Sequence, residues 1–167
     1  AEDEQTNYIN IGPVNQVVNS IAVWHKYGKE SEQFQKHVER WYDYLWLAED
    51  GLKMNGYNGS QLWDTAFAVQ AFCESDMANS FQSSIERAYD FIDYSQIKTE
   101  VRDFNTYFRH ASVGGWPFST RDHSWPITDC TAEGLLASIA VHSTFPGLQQ
   151  KVSYERMCQA VDLILSF

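Results

Sequence analysis

Cysteine is scarce in this chain of 167 residues: Cys73, Cys130 and Cys158 are far apart, odd in number and without a C-x-x-C pair. That excludes a disulfide-stapled scaffold and a zinc ribbon. The five histidines are scattered, with no H-E-x-x-H or similar helical pair. Basic residues are few as well, 12 against 22 acidic ones, and form no dense run, so the net charge of −10 argues against nucleic acid as a partner. No stretch approaches the roughly 20 apolar residues of a spanning helix. No signal-peptide pattern is visible, and a reducing compartment is expected. Sustained alternation of apolar and polar residues, the signature of a half-buried strand, is missing too.

Aromatic residues are plentiful, at 15% of the chain. Such a load suits a large core or an aromatic-lined pocket. The chain starts at Ala1 and stops in AVDLILSF, within an apparent amphipathic helix. We therefore expect an internal piece of a longer protein, one segment from 1 to 167 with no internal boundary.

Helical spacing dominates. Phe34, Val38, Trp41, Leu45 and Ala48 step by 4, 3, 4 and 3, which predicts a helix from Glu32 to Ala48. Pro13 to Tyr27 reads as an earlier helix with proline in its first turn. After the loop Asn55-Gly-Tyr-Asn-Gly59, Ser60 is placed to cap a helix from Gln61 to Cys73 that is apolar around most of its circumference. Met77, Phe81, Ile85, Ala88 and Ile92 form a third stripe. Thr99 to Phe108 is expected to be helical, and Ser112 to Ile127 an ordered loop. A helix follows from about Asp129 to His142, and a last one from about Ser153 to Phe167. The fold class is all-α. The related textures of Gly59-Ser-Gln-Leu-Trp63 and Gly114-Gly-Trp116 hint at stacked helix pairs or a helical toroid.

The stretch Thr128-Asp-Cys-Thr-Ala-Glu133 carries the most chemistry. Asp129 at a helix start fits an N-cap carboxylate. It also fits a general acid, which needs burial to keep its proton and donors to stabilise the anion it leaves. Cys130 and Thr131 are near enough in sequence to help, and Glu133 is expected to support the helix start. Trp63, Trp116, Phe118 and Trp125 lie at loop–helix junctions. They fit ordinary core packing, or a wall of π-faces that stabilises a cation by about 0.5 to 2 kcal/mol per contact.

Three blocks then give a resemblance: NIGPVNQVVN (10–19), YLWLAEDGLKMNGYNGSQLWDTAFAVQA (44–71) and GGWPFSTRDHSWPITDCTAEGL (114–135). Together they resemble the oxidosqualene cyclases, and the match runs over nearly the whole chain. The resemblance implies part of an α/α-barrel (toroid) triterpene cyclase fold. It implies that Asp129 protonates the epoxide of 2,3-oxidosqualene, that Cys130 activates it, and that Trp63 and Phe118 face developing cations. It implies no metal and no organic cofactor. A second activating cysteine is expected beyond residue 167, since Cys158 does not match it. Gly59 to Trp63 resembles part of a Gln–Trp repeat, whereas Gly114 to Trp116 lacks a glutamine just before its glycines. The neighbouring squalene–hopene branch carries D-x-D-D where this chain has Ile127-Thr-Asp-Cys130, and a lone aspartate suits an epoxide better than an alkene. Tyr57, His123 and Ile127 match the pattern that favours cycloartenol over lanosterol. Membrane association through regions outside this segment, at the endoplasmic reticulum or lipid droplets, is implied as well.

Two other classes compete. A helical-toroid glycosidase needs two carboxylates across a cleft, for which Asp122 and Asp129 can be nominated. A non-enzymatic helical-repeat module predicts a fixed period, and the spacing here is irregular.

Overall fold

The computed structural model describes residues 1–167. It divides into two compact units, Ala1–Gly59 and Ser60–Phe167, a boundary that sequence reading does not mark.

The first unit starts with a single turn, α1 (Glu2–Gln5), followed by α2 (Pro13–Tyr27) and α3 (Glu32–Trp41). Pro13 occupies the first turn of α2, where a missing N–H costs nothing. Gly28, at φ 83°, ends that helix in a conformation that favours glycine. Ser31 caps α3, its Oγ accepting the Phe34 N–H at 3.4 Å. Gln16 in α2 donates to the His37 carbonyl in α3 at 2.9 Å. His37 itself is fully buried, with Nε2 3.4 Å from the Asp3 carboxylate and the Tyr8 ring edge-on at 5.1 Å.

The helix expected to run on to Ala48 stops at Trp41. Leu45–Ala48 (β1) and Gly51–Met54 (β2) form an antiparallel hairpin, with Leu45 opposite Met54 and Ala48 opposite Gly51. Leu45 and Ala48 continue the helical stripe only by coincidence. Alternation is invisible here because each strand has four residues. Its apolar side chains also face solvent on adjacent positions: Leu47 is 81% and Leu52 68% exposed. The turn is legible in retrospect, since Gly51 takes φ 128° directly after Glu49-Asp50.

The second unit contains α4 (Gln61–Glu74), a 3-10 turn (Ala78–Phe81), α5 (Gln82–Ser95), a 3-10 turn (Arg121–His123), α6 (Thr128–Thr144) and α7 (Tyr154–Ser166). Its core gathers Leu62, Ala66 and Val69 of α4, Ile85, Tyr89 and Ile92 of α5, Ala137 and Val141 of α6, and Ala160 of α7 around Trp116. Along α4, apolar around most of its circumference, Leu62, Ala66 and Val69 are buried against α5 and α6, while Phe67 and Phe72 stay 44% and 40% exposed. The helix wrapped on several sides is α6, which packs against α4, α5 and α7. Small residues allow this. A Cβ on Gly134 would lie 2.7 Å from the Trp116 ring.

Thr99 to Phe108 is not helical. Asp103 and Phe108 take φ of 54° and 56°, left-handed values that break any ladder. The stretch is a closed excursion instead. Ile97 and the Gly114–Gly115 pair exchange backbone hydrogen bonds at 2.9 Å across its base. The Glu100 carboxylate accepts the Ser112 and Val101 N–H groups at 2.8 and 2.9 Å. Its apolar residues have helical spacing, but these tertiary anchors outweigh local propensity.

Candidate active site

Ser60 precedes α4 as expected but does not cap it with its side chain; its Oγ bonds the Asp64 carboxylate at 2.7 Å. The free N–H groups of Leu62 and Trp63 are taken by the carbonyls of Ser119 and Phe118, at 3.0 and 3.3 Å. The Trp-rich loop thus closes the N-terminus of α4 with its own backbone. That brings Phe118 to Trp63, with ring centroids 6.0 Å apart. Phe67, one turn on from Trp63, meets its ring edge-on at 4.7 Å. Trp63 and Phe118 are both half-buried, and so retain exposed aromatic surface. Phe67 was not singled out from sequence, although its spacing of four from Trp63 on a helix places it on the same face.

Of the other two aromatics of the expected wall, Trp116 serves the protein interior and Trp125 is half-buried. Trp116 is fully buried; its indole N–H donates to the Ile92 carbonyl at 2.8 Å and its backbone N–H to Thr131 Oγ1 at 3.0 Å. Trp125 lies under the Arg109 guanidinium, 3.9 Å from the ring centroid.

The same loop leads into α6. Ile127 donates its N–H to the Trp116 carbonyl at 3.1 Å and stands as the N-cap residue, half-buried. The helix starts at Thr128, so Asp129 lies inside the first turn and is not the cap. Its Oδ1 accepts the Cys130 N–H at 2.8 Å, one of the amides that a helix start leaves without an intrahelical partner. The Asp129 side chain points outward and is exposed, whereas Cys130 is 1% exposed. The burial that a general acid requires is therefore not provided by these 167 residues. Burial, and then the Asp129 carboxylate that it hydrogen-bonds, push the Cys130 thiol up to about 12. It remains an S–H donor at neutral pH, the state needed to stabilise a carboxylate beside it. Glu133 does not serve the helix start; its Oε2 accepts from Gln70 Nε2 at 2.8 Å and ties α6 to α4.

His123 is buried at the end of the 3-10 turn, four residues before Ile127. Tyr57 belongs to the first unit and is 55% exposed. Asp122, nominated with Asp129 as a carboxylate pair, lies in the 3-10 turn and is half-buried.

Sequence reading looked for a glutamine just before Gly114. The structure supplies it from 18 positions upstream: Gln96 is fully buried, and its Nε2 donates to the Gly114 carbonyl at 2.8 Å and the Arg156 carbonyl at 3.2 Å. The excursion from 98 to 113 separates the two in sequence and hides the pairing.

The mainly helical architecture, with the Gln96 tie, the Asp129–Cys130 pair and the Trp63–Phe118 contact in one unit, matches part of the helical terpene cyclase fold. Residues 59–167 match the family model described as squalene-hopene cyclase C-terminal domain, and the chain belongs to that family. It is 52% identical over 165 residues to a cycloartenol synthase from Dictyostelium discoideum. It is 42% identical over 168 residues to a lanosterol synthase from Mus musculus, and 40% over 168 residues to an alpha-onocerin synthase from Lycopodium clavatum. Each match takes in 99% of this chain but only 22–23% of the relative's length.

Proposed function

We propose that this chain forms the acid-bearing part of an oxidosqualene cyclase that converts (S)-2,3-oxidosqualene to cycloartenol. One observation carries the reading: the exposed Asp129 side chain sits against the buried Cys130 thiol, in the unit that also holds the Trp63–Phe118 aromatic pair. In the working enzyme the remaining chain covers Asp129 and keeps its carboxyl protonated. The proton passes to the epoxide oxygen and the adjacent C–O bond breaks, so positive charge develops on carbon. Double bonds of the folded substrate attack in turn. Cys130 stabilises the carboxylate left behind. Trp63 and Phe118 present π-faces to the migrating charge in a site free of water.

The final step removes a proton so that a methyl carbon closes a cyclopropane. Tyr57, His123 and Ile127 favour that outcome over loss of a neighbouring proton to a double bond. The 52% identity to a cycloartenol synthase supports the assignment, and the 42% identity to a lanosterol synthase names its competitor. Action at the cytosolic face of the endoplasmic reticulum or of lipid droplets belongs to the same proposal, by way of residues outside this segment. No helix here is long and apolar enough to cross a membrane.

The test is to express the full-length protein in a host lacking its own cyclase, feed oxidosqualene, and identify the triterpene alcohols by gas chromatography and mass spectrometry. Cycloartenol is expected. Lanosterol as the main product would overturn the product assignment, and no cyclised product would overturn the reaction.

A further inference from the structure

Arg109 is an unusual residue to find inside. It sits at the end of the 98–113 excursion and is only 9% exposed. Its guanidinium carbon stands 3.9 Å above the Trp125 ring, and Nη2 donates to the Ser124 carbonyl at 3.4 Å. Ser124 is itself strained, a non-glycine residue at φ 47° and ψ 26°. One cation therefore holds two consecutive residues of the Trp-rich loop, one by its carbonyl and one by its ring face.

The position of that hold matters. Ser124 and Trp125 directly follow His123, which is 2% exposed, and precede Ile127 by two residues. The loop is fixed on either side. Phe118 and Ser119 are held at the start of α4, and Ile127 by the Trp116 carbonyl at 3.1 Å. Between those anchors, Arg109 reaches the turn from a separate part of the chain. The excursion is built to deliver it. Glu100 closes the base through Ser112 and Val101, and the Arg109 N–H is fixed to the Phe104 carbonyl at 2.9 Å. A planar guanidinium is what this geometry needs, since it stacks and donates at once and an ammonium does not.

We propose that Arg109 is a positioning residue for product specificity. By clamping Ser124 and Trp125 it fixes where His123 and Ile127 stand relative to Asp129, and so which proton the final cation loses. The inference rests on the cyclase reading above. Misplacing a positioned group by about 1 Å can slow the step it serves by on the order of 10²-fold.

The experiment uses the full-length enzyme with oxidosqualene and compares wild type, Arg109→Lys, Arg109→Met and Trp125→Leu. Product ratios, kcat and KM are measured on protein whose folding has been checked by circular dichroism. Arg109→Met is expected to raise the share of minor triterpene alcohols severalfold, with KM changed by less than about threefold. Arg109→Lys, which keeps the charge but not the planar stack, is expected to fall between Arg109→Met and wild type. Trp125→Leu removes the ring from the other side of the contact and is expected to shift the products in the same direction. It carries the test if Arg109→Met does not fold. Folded Arg109→Met or Trp125→Leu with the wild-type product ratio would overturn the inference, even if the yield of folded protein fell. Failure of the wild type to cyclise oxidosqualene would overturn the cyclase reading beneath it, and that control separates the two failures.

Discussion

Asp129 and Cys130 are neighbours with opposite fates. A helix advances about 100° per residue, so consecutive side chains diverge, and one faces solvent while the other enters the core. The thiol is held far above its ordinary value of 9.0, at about 12. That has a sign for stability. The folded state favours the protonated thiol, so its contribution is complete below pH 9 and lost as pH rises toward about 12. Tyr44, pushed by burial from 10.0 to about 12, acts in the same sense in the first unit. An alkaline titration followed by circular dichroism should show destabilisation beginning above pH 9, and Cys130→Ala should remove part of it from the second unit. In the full-length enzyme, Cys130→Ala should lower kcat by roughly ten- to a hundredfold, the worth of one hydrogen bond to a charged group. An unchanged kcat would leave Cys130 as packing alone. The acid–thiol pair was legible in sequence as a motif. The exposure of Asp129 was not, because it depends on which residues cover the first turn of α6.

Among the elements, α6 is central, and its small residues let neighbours approach. Gly134→Ala should destabilise the second unit by about 1–3 kcal/mol, since the added methyl meets the Trp116 ring at 2.7 Å, and that residue is held by its indole N–H on Ile92 and its backbone N–H on Thr131. Thermal unfolding measures it, and a melting temperature equal to wild type would show that Trp116 can move. Gln96→Leu should cost about 1–3 kcal/mol, chiefly because the buried Gly114 carbonyl loses this donor, and it also removes the bond to the Arg156 carbonyl. That ties α5, the loop and α7 in one side chain. The stripe Ile85, Ala88 and Ile92 made α5 readable from periodicity, and Pro13 marked the first turn of α2. Two elements were not readable. The β1–β2 hairpin continues the spacing of α3 by accident, and its exposed apolar residues hide alternation. The 98–113 excursion has helical spacing but is held in an irregular path by the Glu100 carboxylate across its base and by Arg109. The Gln96–Gly114 tie was missed for the same reason, as contacts across an insertion leave no local pattern.

At the scale of the whole molecule, the chain spans less than a quarter of the length of the relatives it matches, and Asp129 is open to solvent. The most direct test is turnover by the purified full-length enzyme, comparing wild type with Asp129→Asn, with thermal unfolding recorded alongside. Asparagine matches the shape of aspartate but cannot deliver the proton, so the account predicts an intact fold and a rate lower by at least ~10²–10⁴-fold, the usual contribution of a positioned acid. Undiminished cyclisation by Asp129→Asn would contradict it, and would leave Asp129 as a residue that only steadies the first turn of α6.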